Sequence, residues 1–336
     1  MIRRFISVSL ALIIVLSLMP IANVAAANYD FAFSDMPNNW AREALESAVA
    51  NGLLTGYEGK IMPDSPLTRA QMAAIITRAF GANEKADISS YSDLKNVDSW
   101  VAESMAKALK MGVMQGYADK MEPYKNITRE QAFVVLARAL KLDPVAYSIK
   151  YFEDTADISD WAKGYIYALV NEGYIQGSNS KINPQSSISR AEFAQLMYNV
   201  IKQYINTAGE FSTVASGNIM INVPGVVLKD VTINGDLIVG DGVGDGNVIL
   251  DNITVNGRLL VRGGGLNSVI IIGGSIKGKV VIAKANGNVR VSAVGGADVD
   301  VITVEDGRDT VIIEGTVGNV EIKEPNIPVT VQNATI

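Results

Sequence analysis

A unit that occurs three times between residues 33 and 201 constrains this chain more than any other feature. Each copy contains a four-residue stretch of Thr or Ser, Arg, Ala or Glu, and Gln or Glu, and the three arginines are 60 and then 61 residues apart. All three tryptophans of the chain follow the same step, and so does one glycine per copy. A fixed period shared by several residue types indicates tandem units that stack to bury a common core. The recurring residues are Arg69, Arg129 and Arg190, Trp40, Trp100 and Trp161, and Gly56, Gly116 and Gly177.

Each copy predicts two helices joined by a loop rich in proline and glycine. In the first copy, the apolar residues from Trp40 to Leu53 fall on one face of a helix. A loop with Pro63 and Pro66 follows, and a second helix is expected from Thr68 to the glycine after Phe80. The repeat region is therefore predicted to be all-helical.

The four-residue stretch has a structural interpretation and a functional one. Thr or Ser followed three positions later by Gln or Glu is a capping box, which predicts that Thr68 and Gln71 cap a helix. Capping does not need the arginine, which stands where the helix dipole disfavours a cation. Either the arginine holds an anion beside exposed backbone N–H groups, or it forms a structural salt bridge with Asp35, Asp93 or Asp154.

The tryptophans also allow two interpretations. A tryptophan that opens an apolar helical stripe is expected to lie in the core. The alternative is an indole at the edge of a groove, stacked on a sugar ring.

Residues 33–201 resemble three tandem S-layer homology modules. The resemblance rests on the Phe-Ser-Asp opening, the Trp-Ala pairs at 40–41 and 161–162, the Gly-Tyr turns, the proline loop and the Thr-Arg-Ala-Glu-like stretch. It implies a pseudo-trimer of modules around a central helical bundle, with grooves that bind pyruvylated secondary cell-wall polysaccharide. It assigns to these grooves Asp35, Trp40, Gly56, Arg69, Asp93, Trp100, Gly116, Arg129, Asp154, Trp161, Gly177 and Arg190.

The third copy departs most from the pattern of that family. It has Ser189 in place of Thr and Gly177-Ser178 in place of Gly-Tyr, whereas the first two copies have Gln71 and Gln131 in place of the acidic residue. Glutamine still caps a helix, so the fold is expected in all three copies. Of the three grooves, the third is the one in which binding is least expected.

The composition excludes several classes of chemistry. The 336 residues include no cysteine and no histidine, which rules out disulfides, thiolate or histidine metal sites, and Cys-His or Ser-His catalysis. The formal charge of -6 argues against nucleic acid or anionic lipid as a partner. We expect no cofactor and no metal.

The N-terminus has the pattern of a secretory signal. Arg3 and Arg4 precede an apolar run that is too short to span a membrane, and small residues near Ala26 provide a cleavage site. We expect residues 1–27 to be removed, and no membrane attachment afterwards.

The second half predicts a different fold. A segment at 231–239 recurs at 253–261, and a third copy begins near residue 275. A period near 21 residues with several short strands predicts a parallel β-helix, or solenoid, of five or six coils. The pattern also resembles the right-handed β-helix domains of surface proteins and polysaccharide lyases, which implies the right-handed form. The rival is a set of antiparallel hairpins, because Asn-Gly, as at 234–235, is a strong hairpin signal.

The predicted fold class is multidomain α + β, with an all-α repeat region and an all-β solenoid. The expected boundaries are a signal peptide at 1–27, modules at 28–86, 87–147 and 148–205, a linker at 206–218, and the β-helix domain at 219–336.

Three functional hypotheses follow. The first is a secreted, non-enzymatic protein of the cell wall or S-layer, anchored noncovalently to a peptidoglycan-associated anionic polymer, with the β-helix displayed as a scaffold. The second is a wall-anchored polysaccharide lyase or hydrolase. For the acidic loop at 240–247, the alternatives are a calcium site and a plain turn. The third is self-assembly through the solenoid ends. Candidate charged residues for the second are Asp236, Asp241, Asp245, Asp251, Arg258 and Arg262.

Overall fold

The computed structural model describes residues 33–306, 309–324 and 326–335, which lie in one compact unit. The predicted signal peptide at 1–27 falls outside the described residues. Within the described ranges, no helix combines the length and the apolar character needed to cross a membrane.

The repeat region folds into two α-helices per copy, as predicted. The second helix of each copy begins with a complete capping box, in which the Thr or Ser hydroxyl accepts from the third helical N–H and the Gln or Glu side chain accepts from the N–H of the cap. The helices are α1 (Arg42–Ala50), α2 (Arg69–Ala79), α3 (Ser99–Lys110), α4 (Arg129–Ala139), α5 (Asp160–Asn171) and α6 (Arg190–Val200).

The three copies close into a ring with pseudo-threefold symmetry. Helix α2 packs against α3, α4 against α5, and α6 against α1. At the centre, the N–H of Leu67 donates to Ile188 O (2.9 Å), that of Ile127 to Leu67 O (2.9 Å), and that of Ile188 to Ile127 O (3.2 Å). All three side chains are buried. This ring of hydrogen bonds fixes the three loops against one another.

The proline loop of each copy receives the start of a helix from another copy. The N–H groups of Arg69 and Ala70, the first two of α2, donate to Lys125 O and Pro123 O at 2.9 Å. Equivalent bonds join the starts of α4 and α6 to the third and first loops. The unpaired donors of each helix N-terminus are thus satisfied across a boundary between copies.

The second half is a parallel β-solenoid of about six turns. Every strand pair is parallel, so the antiparallel hairpin alternative is wrong. The strands are β1 (Gln203–Ile205), β2 (Gly209–Phe211), β3 (Ile219–Ile221), β4 (Val226–Lys229), β5 (Thr232–Ile233), β6 (Leu237–Val239), β7 (Val248–Asp251), β8 (Thr254–Val255), β9 (Leu259–Val261), β10 (Ile270–Ile272), β11 (Ser275–Ile276), β12 (Val280–Ala283), β13 (Val289–Val294), β14 (Asp298–Val299), β15 (Val301–Asp306), β16 (Val311–Thr316), β17 (Asn319–Ile322) and β18 (Val329–Thr335).

The strands form three sheets, one for each side of the coil. Sheet A has the order β1-β3-β6-β9-β12-β15-β17, sheet B the order β18-β16-β13-β10-β7-β4-β2, and sheet C the order β14-β11-β8-β5. The stretch 206–218, predicted to be a linker, contains β2 and belongs to the solenoid. The prediction failed because the first coil lacks the Asn-Gly corner and the Val/Ile density of later coils.

Corner residues stack from one coil to the next. The side-chain amide of Asn256 donates to Asn234 Oδ1 at 2.9 Å, and that of Asn252 to Asp230 Oδ1 at 2.7 Å. The Asn-Gly step therefore turns the coil here, and stacking of equivalent side chains replaces the hairpin that the dipeptide forms in isolation.

The outer face of sheet A packs against the helical ring. Its side chains Met220, Ile238, Leu260 and Val281 are neighbours in register, have no exposed surface, and belong to the same core as the helices. The solenoid is therefore fixed to the repeats by buried apolar area and is not carried on a flexible arm.

Polar groups of the solenoid complete the ends of the second helices. Asn222 Nδ2 donates to Ala79 O of α2 at 2.8 Å, and Asn218 Nδ2 to Val200 O of α6 at 2.8 Å. Arg262 Nη1 donates to Ala139 O of α4 at 3.4 Å. The last carbonyls of a helix have no partner within it and carry partial negative charge, so amide and guanidinium donors stabilise this end.

Most of the charged residues considered for catalysis hold this interface together. Arg258 pairs with Asp236 at 2.6 Å and Arg262 with Asp241 at 2.7 Å. Asp245, in the acidic loop, pairs with Lys284 at 2.6 Å.

The acidic loop itself packs against the helices. The N–H of Gly242 donates to Phe80 O at 3.1 Å. The described residues contain no cluster of acidic side chains arranged to hold a metal ion.

Truncation of Ile238 tests the fixed interface. We expect Ile238→Ala to lower the free energy of unfolding by about 2–4 kcal/mol, because it leaves a cavity between sheet and helices. The change should appear in a single denaturant transition seen by both tryptophan fluorescence, from the helices, and circular dichroism of the sheets. The matched control is Val294→Ala on the half-exposed outer face of sheet B, which should cost about 0.5 kcal/mol or less. Two separate transitions would contradict the interface.

Candidate functional site

The three tryptophans stand at the surface. Trp40, Trp100 and Trp161 lie at the starts of the first helices and are 60%, 42% and 51% exposed. The expectation that they belong to the core is wrong. The buried face of each helix begins at the next residue, Ala41, Val101 or Ala162. Trp100 and Trp161 lie at boundaries between copies.

Two open clefts lie between the copies. The first, groove 1, has a volume of about 440 Å³ and is lined by Gly56 and Arg78 of the first copy, Trp100 of the second and Arg190 of the third. All three copies thus contribute to groove 1.

The second cleft, groove 2, repeats this arrangement one copy further on. It has a volume of about 330 Å³ and is lined by Arg69 of the first copy, Gly116 and Arg138 of the second, and Trp161 of the third. The predicted glycine, tryptophan and motif arginine therefore meet in each of these two grooves, but the tryptophan and the motif arginine come from different copies than the glycine.

The motif arginines Arg69 and Arg190 extend into another copy. Arg69 donates from Nε to Met121 O and from Nη2 to Gln115 O, both at 2.9 Å. Arg190 donates in the same way to Ile61 O at 2.7 Å and Thr55 O at 2.8 Å. The helix N–H groups proposed to seat an anion beside them are already bonded to the proline loop, so that part of the hypothesis is wrong.

The salt-bridge alternative is also wrong for these two arginines. Among the described residues, no carboxylate lies within ion-pair distance of Arg69 or Arg190. Burial lowers the pKa of both guanidinium groups, and the nearby charges of Glu122 and Asp93 for Arg69, and of Asp35 for Arg190, counter it in part. A cation that is largely removed from water and held by carbonyl oxygens alone is an incompletely compensated charge.

The three predicted aspartates hold the loop that the arginines contact. Asp35 accepts from the N–H groups of Ile61 and Met62 at 2.7 and 2.8 Å. Asp93 and Asp154 make the equivalent bonds in the second and third copies. Burial acts to raise the pKa of Asp35, but these backbone hydrogen bonds outweigh it and hold the pKa below its ordinary value. The carboxylates thus position the carbonyls that receive the arginines.

The three glycines leave room for the aromatic residue of the Phe-Ser-Asp opening. A Cβ on Gly56 would stand 2.1 Å from the ring of Phe33, and one on Gly116 would stand 2.6 Å from the ring of Tyr91. Gly177 meets Phe152 at 2.6 Å in the same way. These glycines shape the groove wall by close packing.

The third boundary, groove 3, differs in charge. Its arginine, Arg129, donates from Nε to Ile182 O at 2.7 Å, and its Nη1 forms an ion pair with Glu192 at 2.7 Å. Glu192 stands where grooves 1 and 2 have Gln71 and Gln131, and it caps α6 as those glutamines cap α2 and α4. The cation of groove 3 is therefore neutralised within the protein.

Groove 3 also lacks two other features. Asn199 replaces Arg78 and Arg138, nine positions after the motif arginine, and Ser178 replaces the exposed tyrosines that follow the other groove glycines. Lys150, from the loop before the third copy, donates to Gln176 O, the carbonyl equivalent to the one that Arg69 or Arg190 contacts through Nη2. By the threefold relation, Trp40 is the indole of this groove.

The sequence analysis missed Arg78 and Arg138. Their signal was available, because each follows the motif arginine of its own copy by nine residues. It was overlooked because the third copy has asparagine at this position and because both arginines lie near a helix end, where a basic residue is expected for structural reasons.

Comparison with known proteins identifies the repeats. The model of the S-layer homology domain family matches residues 32–73, 90–133 and 151–194. The Surface-layer 125 kDa protein of Lysinibacillus sphaericus is 30% identical over 207 residues, which cover 60% of this chain and 17% of that protein.

Relatives of other kinds carry similar sequence. The cellulosome-anchoring protein of Acetivibrio thermocellus is 33% identical over 153 residues, covering 43% of this chain and 34% of that protein. The amylopullulanase of Thermoanaerobacterium thermosulfurigenes is 28% identical over 185 residues, covering 53% of this chain and 10% of that protein. The chain thus spans between 10% and 34% of the length of these relatives.

The repeated motif, the ring of three helix pairs and the family match agree with one another. The chain carries three regions that match the S-layer homology domain family, and a parallel β-solenoid follows them.

Proposed function

We propose that this protein is anchored noncovalently to an acidic, pyruvylated cell-wall polysaccharide through grooves 1 and 2. The observation that carries the proposal is a pair of arginines, the half-buried Arg69 and the buried Arg190, which have carbonyl partners and, among the described residues, no carboxylate partner. A ligand carboxylate at these grooves would supply the missing charge in a site partly shielded from water, where an ion pair is stronger than at an open surface.

A second cation supports an anionic ligand in each groove. Arg78 lines groove 1 and Arg138 lines groove 2, so each groove presents two guanidinium groups. Guanidinium is suited to a carboxylate because its parallel N–H groups match the two oxygens. A pyruvate ketal on a sugar carries such a carboxylate.

An exposed indole supports a sugar as the rest of the ligand. Trp100 and Trp161 form one wall of their grooves while keeping about half of their surface open. The flat apolar face of a sugar ring stacks on such an indole. The combination of stacking surface and paired cations selects an acidic saccharide over an inorganic anion.

The cell-surface relatives are consistent with an anchor. They include S-layer proteins and a cellulosome-anchoring protein, which differ in what they carry and share similarity with this chain. Glycosidases share it as well, so similarity of the repeats does not distinguish an enzyme from a structural protein.

For the solenoid, a non-enzymatic role is the better proposal. Asp236, Asp241 and Asp245, three of the carboxylates that a lyase or hydrolase could use, are held in ion pairs, the first two where the solenoid meets the helices. The alternative, a wall-anchored polysaccharide-acting enzyme, would be favoured by release of reducing ends or unsaturated uronates from purified wall polymer.

Removal of the indoles tests the two grooves. We expect Trp100→Ala and Trp161→Ala together to weaken co-sedimentation with purified walls by at least about tenfold, since each loses a stacking surface. Trp40→Ala, in groove 3, is the matched control and should change the affinity by less than about twofold. Equal losses in all three positions would contradict the assignment.

The dependence on the polymer needs its own measurement. Walls from which the acidic polysaccharide has been extracted should no longer sediment the wild-type protein, whereas walls from which protein alone has been removed should. Retained binding to extracted walls would point to peptidoglycan itself and overturn the proposal.

Restoring the charge of groove 3 should create a third site. Glu192→Gln keeps the helix cap, as Gln71 and Gln131 show, and Asn199→Arg adds the second cation. We expect titration calorimetry with a pyruvylated N-acetylhexosamine glycoside to show two sites per chain in the wild type and three in the double variant. The third site should be weaker, because Lys150 still donates to Gln176 O. The reverse pair in groove 2, Gln131→Glu with Arg138→Asn, should reduce the number to one.

A further inference from the structure

A third cavity lies next to groove 2, on the side of the solenoid. This solenoid-side cavity has a volume of about 340 Å³. It is lined by residues of α4, α5 and the loops after α3 and α4, together with Glu305 of β15. It is large enough for one sugar ring.

The cavity adjoins groove 2. Gln115 and Arg138 line both spaces, so the two meet at these residues. The guanidinium of Arg138 lies over the ring of Tyr165, 5.6 Å from its centre, and this stacking holds the arginine at the junction. A chain molecule seated in groove 2 can therefore extend past Arg138 towards the solenoid.

The lining of the cavity differs in charge from that of groove 2. Groove 2 has Arg69, Lys120 and Arg138 against the single carboxylate of Glu122. The solenoid-side cavity has Arg138 and Lys141 against Asp143 and Glu305. A balanced lining with carboxylate acceptors and amide or guanidinium donors suits hydroxyl groups better than a net negative charge.

The two carboxylates are held in fixed positions. Lys323 Nζ donates to Asp143 and to Glu305, both at 2.9 Å, and Lys279 Nζ donates to Asp143 at 3.0 Å. Burial acts to raise the pKa of Asp143, but the hydrogen bonds from Lys323 and Lys279 outweigh it and keep the carboxylate ionised. Each carboxylate oxygen accepts more than one hydrogen bond, so acceptor capacity remains for a ligand.

We propose that the solenoid-side cavity is a second saccharide subsite, which binds the uncharged sugar adjoining the acidic sugar held in groove 2. Asp143 and Glu305 accept hydrogen bonds from its hydroxyl groups, and Tyr165 with Arg138 forms the wall between the two sugars. The inference rests on the proposed function of groove 2, and it gives the solenoid a direct part in recognising the polymer.

The test compares a short and a long ligand in one groove. All proteins carry Trp100→Ala to silence groove 1, and calorimetry measures binding of a pyruvylated N-acetylhexosamine glycoside and of oligosaccharide released from purified walls. Asp143→Asn with Glu305→Gln is the test variant. The matched control is Asp298→Asn with Glu314→Gln, which makes the same changes in ion-paired carboxylates of the solenoid away from the cavity.

We expect the test variant to bind the oligosaccharide about tenfold more weakly and the single charged sugar within about twofold of its parent, because the hydroxyl contacts are lost and groove 2 is intact. The control should leave both affinities unchanged. Oligosaccharide binding that is unaffected in the test variant would overturn the second subsite and leave groove 2 standing. Loss of both ligands in the test variant alone would show that the carboxylates merely support groove 2, and would also overturn it. If neither ligand bound the parent protein, which carries Trp100→Ala alone, the result would instead refute the proposed function.

Discussion

The exchange of backbone hydrogen bonds between copies underlies the whole helical region. Each second helix starts inside the proline loop of a neighbour, where loop carbonyls receive its first two N–H groups. Leu67, Ile127 and Ile188 close the same exchange into a ring at the centre. Because buried backbone donors must be paired, one copy alone would leave them unsatisfied, and the three copies fold as a unit. The grooves are a consequence, since the arginine after each cap has to extend into the neighbouring copy.

A repeated backbone does not give three equivalent sites. Glutamine and glutamate cap a helix equally well, so Gln71, Gln131 and Glu192 are interchangeable for the fold. They are not interchangeable for an anion, because Glu192 forms an ion pair with Arg129. The fold thus leaves the charge of each groove free to vary. Under the proposed function, single side chains on a constant scaffold set the number of anion-binding grooves.

The solenoid supplies hydrogen bonds and buried apolar surface to the helical region that precedes it in the chain. Donors of the first and middle coils cap the carbonyl ends of the second helices, and the apolar outer face of sheet A continues the helical core. The groove arginines at the helix N-termini lie at the other end of those helices. A polymer that follows groove 2 from Arg69 past Arg138 therefore meets the solenoid, which makes its position on the anchor relevant to recognition.

Much of this fold was readable from the amino-acid sequence, because its signals are local and periodic. The capping boxes, the helix pairs and the coil repeat each depend on residues a few positions or one period apart, and the structure has all of them. The first coil of the solenoid was mistaken for a linker, since short strands with little Val or Ile carry no local signal. Twelve groove residues were nominated from resemblance. The geometry gives seven of them a place at a boundary between copies, namely Gly56, Gly116, Trp100, Trp161, Arg69, Arg129 and Arg190.

What the sequence determined by itself was the existence of three capped helix pairs and a coiled β domain, since short-range hydrogen bonds and side-chain periodicity dictate these. Tertiary structure alone decided which copies share a groove, that the aspartates brace a loop, and that the indoles face solvent. It also decided that Arg129 is neutralised while Arg69 and Arg190 are not. These properties depend on contacts between residues 26 to 135 positions apart, from Asp35 with Ile61 to Arg190 with Thr55. No local pattern records the partner of a long side chain across a pseudo-threefold boundary.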